Sequence, residues 1–249
     1  MKREFLLPGP NGYDISCMTW SGGRERSVLI CMHGFTGDKY STVIRRLAET
    51  MAEKDVATIA FDWPGHGASP VDGSSLTVEN CLADLDAVVQ TVRGRGLPLY
   101  LFATSFGGFL SVNYLNRHPD VFSRIVLRSP ALEMPDLVPL LLPEEQRRIM
   151  EDGGIVDFGR DRPLLLGKAF CENLRRHRIA PDAYPAGLPG LVIQGGQDNV
   201  VDPVYNAAFA ERNGLALHLV PGADHFWKRP GDLEEIVSTA EAFLLKGEA

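Results

Sequence analysis

The chain has no apolar run approaching the roughly 18 residues of a membrane helix, no excess of basic residues and no C-x-x-C pair. Its 25 lysines and arginines face 32 aspartates and glutamates, a formal net charge of −7 that excludes the basic footprint of a nucleic-acid binder. Only four cysteines occur, Cys17, Cys31, Cys81 and Cys171, all far apart in the sequence. Cys31 sits inside an apolar run and reads as a small hydrophobe, and so sparse a set fits a reducing compartment. At the start, Phe5, Leu6 and Leu7 precede Pro8, which is too short for the apolar core of a signal peptide. The expectation is a cytoplasmic protein. There is no internal repeat and no low-complexity tract.

What is there is ordinary in bulk: 249 residues, 45% hydrophobic and 23% charged, enough for one α/β domain or two small ones. Residues 2–7 and 13–20 read as two strands joined by Pro8-Gly9-Pro10-Asn11-Gly12 and predict an antiparallel hairpin at a sheet edge. Short apolar runs at 27–32, 56–61, 99–104, 123–127, 190–195 and 215–220 predict strands, those at 56–61 and 99–104 buried ones. Between them, helical stripes appear: Val43, Ile44, Leu47, Ala48 and Met51, then Val78, Leu82, Leu85, Val89 and Val92, the latter behind a Thr77 cap. Asp202-Pro203 reads as a cap with proline in the first turn, and Leu233 to Leu244 as a final helix. Strand and helix alternate, which predicts an α/β fold with a mostly parallel eight-stranded sheet covered on both faces. The alternation fails from 130 to 187, where Pro130, Pro135, Pro139, Pro143 and Pro163 break the pattern before Pro181 and Pro185 close it. This stretch is too rich in leucine for a disordered linker and predicts a lid of short helices inserted after the sixth strand. The core then comprises 1–129 and 188–249.

The strand at 99–104 stops at Ser105 and turns at once into a glycine-started helix, Phe106-Gly107-Gly108. A serine there is either a helix cap or a nucleophile lifted out of both elements. A nucleophile needs a base, and that base needs an orienting acid. Of the six histidines, His118 and His177 read as solvated, His218 as a strand residue and His33 as a loop pin. His225 follows the strand ending at Val220, and Asp198 lies in the loop after Gly195, on the rim where loops after parallel strands gather. Asp224, adjacent to His225, diverges from it, and Asp62 and His66 brace a rim turn. Backbone N–H groups of Phe106 and of Phe35, in His33-Gly34-Phe35-Thr36-Gly37, would hold a tetrahedral oxyanion.

With A-T-S-F-G-G at the corner, H-G-F-T-G, D-W-P-G-H-G, G-G-Q-D-N-V-V and G-A-D-H, the chain resembles the α/β-hydrolases over its full length. It is most similar to cinnamoyl (feruloyl) esterases, near monoacylglycerol lipases and serine aminopeptidases. The stretch Asp161-Arg162-Pro163-Leu164-Leu165-Leu166-Gly167 is similar in style to that branch. The resemblance implies a nucleophile at Ser105, an acid at Asp198, a base at His225 and oxyanion donors at Phe35 and Phe106, with no metal or cofactor. It implies a serine carboxylesterase for small or aromatic-acyl, including hydroxycinnamoyl, esters, acting as a monomer or homodimer on a small-molecule substrate. An amidase or aminopeptidase, a lipase or thioesterase, an acyltransferase and a non-catalytic binding protein of the same fold are the alternatives. Acidic lid residues Glu133, Asp136, Glu144 and Glu145 would serve an aminopeptidase, or are solvated charges. Relatives commonly carry G-H-S-Q-G-G at the corner; here Thr104 and Phe106 replace the histidine and the glutamine.

Overall fold

The computed structural model describes residues 1–247. In chain order its core begins with β1 (Lys2–Pro8), β2 (Asp14–Trp20), β3 (Ser27–Met32), α1 (Thr42–Ala52) and β4 (Val56–Phe61). It continues with α2 (Val78–Arg93), β5 (Leu99–Thr104), α3 (Phe106–Leu115) and β6 (Arg124–Arg128). An excursion follows, with α4 (Met134–Leu140), α5 (Glu144–Glu151), β7 (Ile155–Asp157), β8 (Leu165–Gly167) and α6 (Lys168–Arg176). The chain then returns through β9 (Gly190–Gly195), α7 (Pro203–Arg212), β10 (Ala216–Val220) and α8 (Asp232–Leu244).

Eight strands form one sheet in the order β1-β2-β4-β3-β5-β6-β9-β10. β2 runs against its neighbours β1 and β4, and the other pairings are parallel. The two expected hairpin strands thus sit at one edge. β3, β4, β5 and β9 are buried at every position because helices cover both faces, which is why each reads as a continuous apolar run. Alternate residues serve opposite faces. Val28, Ile30, Leu101 and Ala103 pack with α2, α3 and α7, while Leu29, Cys31, Tyr100 and Phe102 pack with α1 and α8. All four cysteines are free and buried. Among the described residues no helix is long and apolar enough to cross a membrane.

The excursion departs from a lid of helices alone. β7 and β8 pair antiparallel, Ile155 opposite Gly167 and Asp157 opposite Leu165. Strands of three residues are too short to show alternation, and the hairpin is held instead by Asp157, whose Oδ1 accepts from Gly159 and Leu164 N–H at 2.8 Å each. Arg162 ties the excursion to the core, its Nη2 donating to the Val71 carbonyl at 2.8 Å and its Nη1 to that of Ser69 at 2.5 Å. His177 is another departure. Its side chain is 12% exposed and bonds Glu79 at 2.8 Å, and Glu79 in turn accepts from Asn173 at 2.6 Å. Burial opposes the charge on Glu79, but bonds from His177 and Asn173 prevail and bring its pKa down to about 2.

Candidate active site

Ser105 joins β5 to α3 with φ +50° and ψ −110°, a strained conformation for a residue with a side chain. Its main chain is fixed on both sides: the N–H donates to the Arg128 carbonyl at 3.0 Å, and the carbonyl accepts from Gly108 at 2.8 Å and Ala131 at 3.0 Å. The helix can start this close to the sheet only because Gly107 and Gly108 lack side chains. A Cβ at Gly107 would stand 2.9 Å from the Met32 and His33 carbonyls, and one at Gly108 2.6 Å from the Pro130 Cβ. The Ser105 hydroxyl does not cap the helix; it lies 3.2 Å from His225 Nε2. The cap reading of this serine therefore falls.

His225 Nδ1 lies 2.8 and 3.1 Å from the two oxygens of Asp198, and the Asp198 side chain is fully buried. Asp198 Oδ1 also accepts from Val200 and Val201 N–H at 2.9 Å each, and Oδ2 accepts from Gln194 at 3.1 Å. Burial raises the Asp198 pKa, but the bond and charge of His225 and the two N–H groups outweigh it and hold the carboxyl below its ordinary value. Gln194 is itself held by Asn206, whose amide reaches Gln194 Oε1 at 2.8 Å and the Pro130 carbonyl at 3.0 Å. Asp202 caps α7 through Val204 N–H at 2.9 Å, as expected. Asp224 turns away from the imidazole and accepts from Phe226 and Trp227 N–H at 3.0 and 2.7 Å, which shapes the loop after His225.

The loop Gly34–Gly37 faces the same serine. A Cβ at Gly34 would be 3.2 Å from the Ser105 Cβ. Among the described residues, the N–H groups of Phe35 and Phe106 donate to no protein acceptor, the latter at a helix start. His33 pins this loop: Nδ1 donates to the Gly34 carbonyl at 2.8 Å, and Nε2 accepts from Trp63 N–H at 3.2 Å. Burial lowers its pKa, keeping the ring neutral. Next to it lies a feature the sequence reading missed. Lys39 and Asp62 are wholly buried and paired at 2.6 Å, with Lys39 Nζ also 2.9 Å from Ser16 Oγ. Asp62 accepts from the N–H groups of Lys39 at 2.8 Å and Ala68 at 2.9 Å, so the rim turn is built on its carboxylate. Gly67 allows this, since a Cβ there would fall 2.5 Å from Asp62 Oδ1.

A cavity of about 640 Å³ opens on Ser105 and His225, bounded by Gly34–Gly37, the start of α1 and the loop Phe226–Gly231. The corner aromatic Phe106 does not wall it; that ring is fully buried, 5.8 Å from Phe35 and 6.1 Å from Phe109. Phe158 and Phe170 of the excursion pack on Phe35, at 5.4 and 5.9 Å between ring centroids. The excursion contributes Arg160 to the lining rather than a leucine. Of the acidic residues expected there for an aminopeptidase, Asp136 pairs with Arg178 and Glu144 with Arg148. None of the four lines the cavity.

An eight-stranded sheet with one reversed strand, a strained serine between β5 and α3, and an acid and a histidine on the rim define an α/β-hydrolase. The chain belongs to the serine aminopeptidase S33 family, which matches residues 23–151. It is 26% identical over 228 residues to phospholipase YtpA of Bacillus subtilis, covering 80% of this chain and 86% of that protein. It is 28% identical over 169 residues to a B. subtilis protein assigned as 2-succinyl-6-hydroxy-2,4-cyclohexadiene-1-carboxylate synthase; the match covers 65% of this chain and 57% of that one. Among solved structures it is similar to Est1E of Butyrivibrio proteoclasticus with bound ferulic acid, at TM-score 0.81 and 22% identity, covering 97% and 98% of the two chains.

Proposed function

We propose that the chain hydrolyses carboxylic esters through an acyl-enzyme on Ser105. The observation that carries this is the unbroken series of contacts Ser105 Oγ–His225 Nε2–His225 Nδ1–Asp198, whose Ser105 and His225 line the cavity. Ser105 Oγ attacks the ester carbonyl as His225 Nε2 takes its proton. The oxyanion that forms is met by the N–H groups of Phe35 and Phe106, each worth roughly 3 kcal/mol of barrier. The intermediate collapses, His225 returns the proton to the departing alkoxide, and the alcohol leaves. Water, deprotonated by His225, then releases the acid and restores the serine. Asp198 orients the imidazole and stabilises its cation.

Phe226 and Trp227 give the cavity apolar walls that suit a small or aromatic acyl group. Est1E, with ferulic acid bound, and the phospholipase relative act as support for an ester rather than an amide. The excursion at 130–187 serves as the cap of this site. A fluorophosphonate probe should label the protein at Ser105 and fail to label Ser105→Ala, and a 4-nitrophenyl ester should be turned over much faster than an aminoacyl anilide. Labelling that survives in Ser105→Ala overturns the assignment.

A further inference from the structure

The ring of Phe226 is the common neighbour of three side chains. It meets His225 edge-on with centroids 5.5 Å apart, and it carries Lys228 Nζ at 4.9 Å and the Arg160 guanidinium at 5.5 Å from its centroid. Arg160 comes from the loop between β7 and β8, and Lys228 from the loop after β10, so the two reach the cavity from different walls. Arg128, at the end of β6 and only 8% exposed, lines the same cavity. Among the described residues none of these three cations has a carboxylate within ion-pair distance. The Nε of Arg128 is buried without any partner. On the other side of the balance, Glu234 is the acid in the lining, and Arg229 is already tied to Asp232 at 2.9 Å.

Stacking on an aromatic ring accounts for an exposed lysine or arginine singly. It does not account for two of them converging on one ring, in a cavity whose lining holds a third, almost buried, with no carboxylate at ion-pair distance, in a chain whose net charge is −7. Like charges gathered at one cleft repel one another, and a cleft with an excess of one sign concentrates ligands of the other.

We propose that the cavity selects esters bearing a second, anionic group, a carboxylate or a phosphate, held between Arg160 and Lys228. The inference rests on the esterase reading given above. The imidazole and both cations neighbour the Phe226 ring at 4.9–5.5 Å from its centroid, so in the proposed pose the anion lies several bonds from the scissile carbonyl and the spacer packs on that ring.

Matched esters test this. The 4-nitrophenyl esters of hexanoate, of adipate with its second carboxylate free, and of 6-phosphooxyhexanoate share one chain length and differ at its end. Acetates of hexanol, 6-hydroxyhexanoate and 6-hydroxyhexyl phosphate, followed by acetate release, put the same groups on the alcohol side. In one of the two series kcat/KM should be at least about tenfold higher for an anionic member than for the neutral one. That ratio should shrink with added salt and fall toward one in Arg160→Gln/Lys228→Gln. Turnover of the neutral esters without an anionic preference in either series, or a preference that survives in the double variant, overturns the inference and leaves the esterase reading standing. No turnover of any of the six overturns both.

Discussion

The guanidinium of Arg128 donates through Nη2 to the main-chain carbonyl of His225 at 2.7 Å. The end of β6 thereby holds the loop that carries His225. Burial lowers the Arg128 pKa to about 10, partly offset by the charges of Asp198, Asp224 and Asp232, so the group stays cationic at neutral pH. Arg128→Gln should lower kcat on a neutral ester by about tenfold to a hundredfold with a smaller change in KM, because a shift of the imidazole misaligns the reacting atoms rather than weakening substrate contact. Steady-state kinetics with both constants resolved checks this, and Arg128→Lys should restore part of kcat.

Asp198→Asn keeps the oxygen that accepts from Val200 and Val201 but puts the wrong partner against His225 Nδ1. The imidazole loses the tautomer that leaves Nε2 free to take a proton. We expect kcat to drop by roughly four orders of magnitude with the fold retained. Single-turnover kinetics alongside circular dichroism separates the two effects.

The Lys39–Asp62 pair makes no chemical contribution in the proposed mechanism, yet it is wholly buried. Asp62→Asn leaves an ammonium buried without its counter-charge and should cost about 3–5 kcal/mol in urea unfolding. Adding Lys39→Met to it should recover part of that loss, since the two effects share one partner.

His66 bonds the Pro64 carbonyl through Nδ1 at 2.9 Å, and its Nε2 is buried without a partner. Burial and the neighbouring His33 lower its pKa from 6.5 to about 3. Between these values the unfolded chain binds a proton here and the folded one does not. The stability from the neutral ring is therefore present above pH 6.5 and is lost as the pH falls toward 3, by up to about 1.4 kcal/mol per pH unit. In His66→Asn this contribution disappears, so the slope of unfolding free energy between pH 4 and 6 should be shallower by as much. Denaturant titrations across that range give the slope directly.

Ser105, Asp198 and His225, which the structure brings within contact, could be singled out in the sequence because each follows an apolar run that ends abruptly. A parallel strand announces its own end, and that end is where the loops of such a sheet gather. The neighbours that hold these residues were not legible. Arg128 reads as the polar stop of a strand, and Lys39, between Asp38 and Tyr40, reads as a solvated loop residue. Their burial is decided by His225 and Asp62, which are 97 and 23 residues away along the chain. Asn206, which steadies Gln194 behind Asp198, is hidden in the same way. The direction of the Phe106 ring was not legible for a different reason: the pattern of residue types cannot say which way a ring turns at a strained corner.

The excursion leaves the sheet at the end of β6 and re-enters at β9, and those two strands pair directly, Ile125 with Gly190 through Arg128 with Ile193. The ladder of the core is therefore complete whatever is spliced between them. Lengthening such a segment costs about 0.6 kcal/mol of chain closure for each doubling of its length, as long as Phe158 and Phe170 keep their packing on Phe35 and Arg162 its bonds to the core. The loop that brings Arg160 to the cavity lies within this excursion, so a lineage can revise that wall without rebuilding the sheet that carries Ser105.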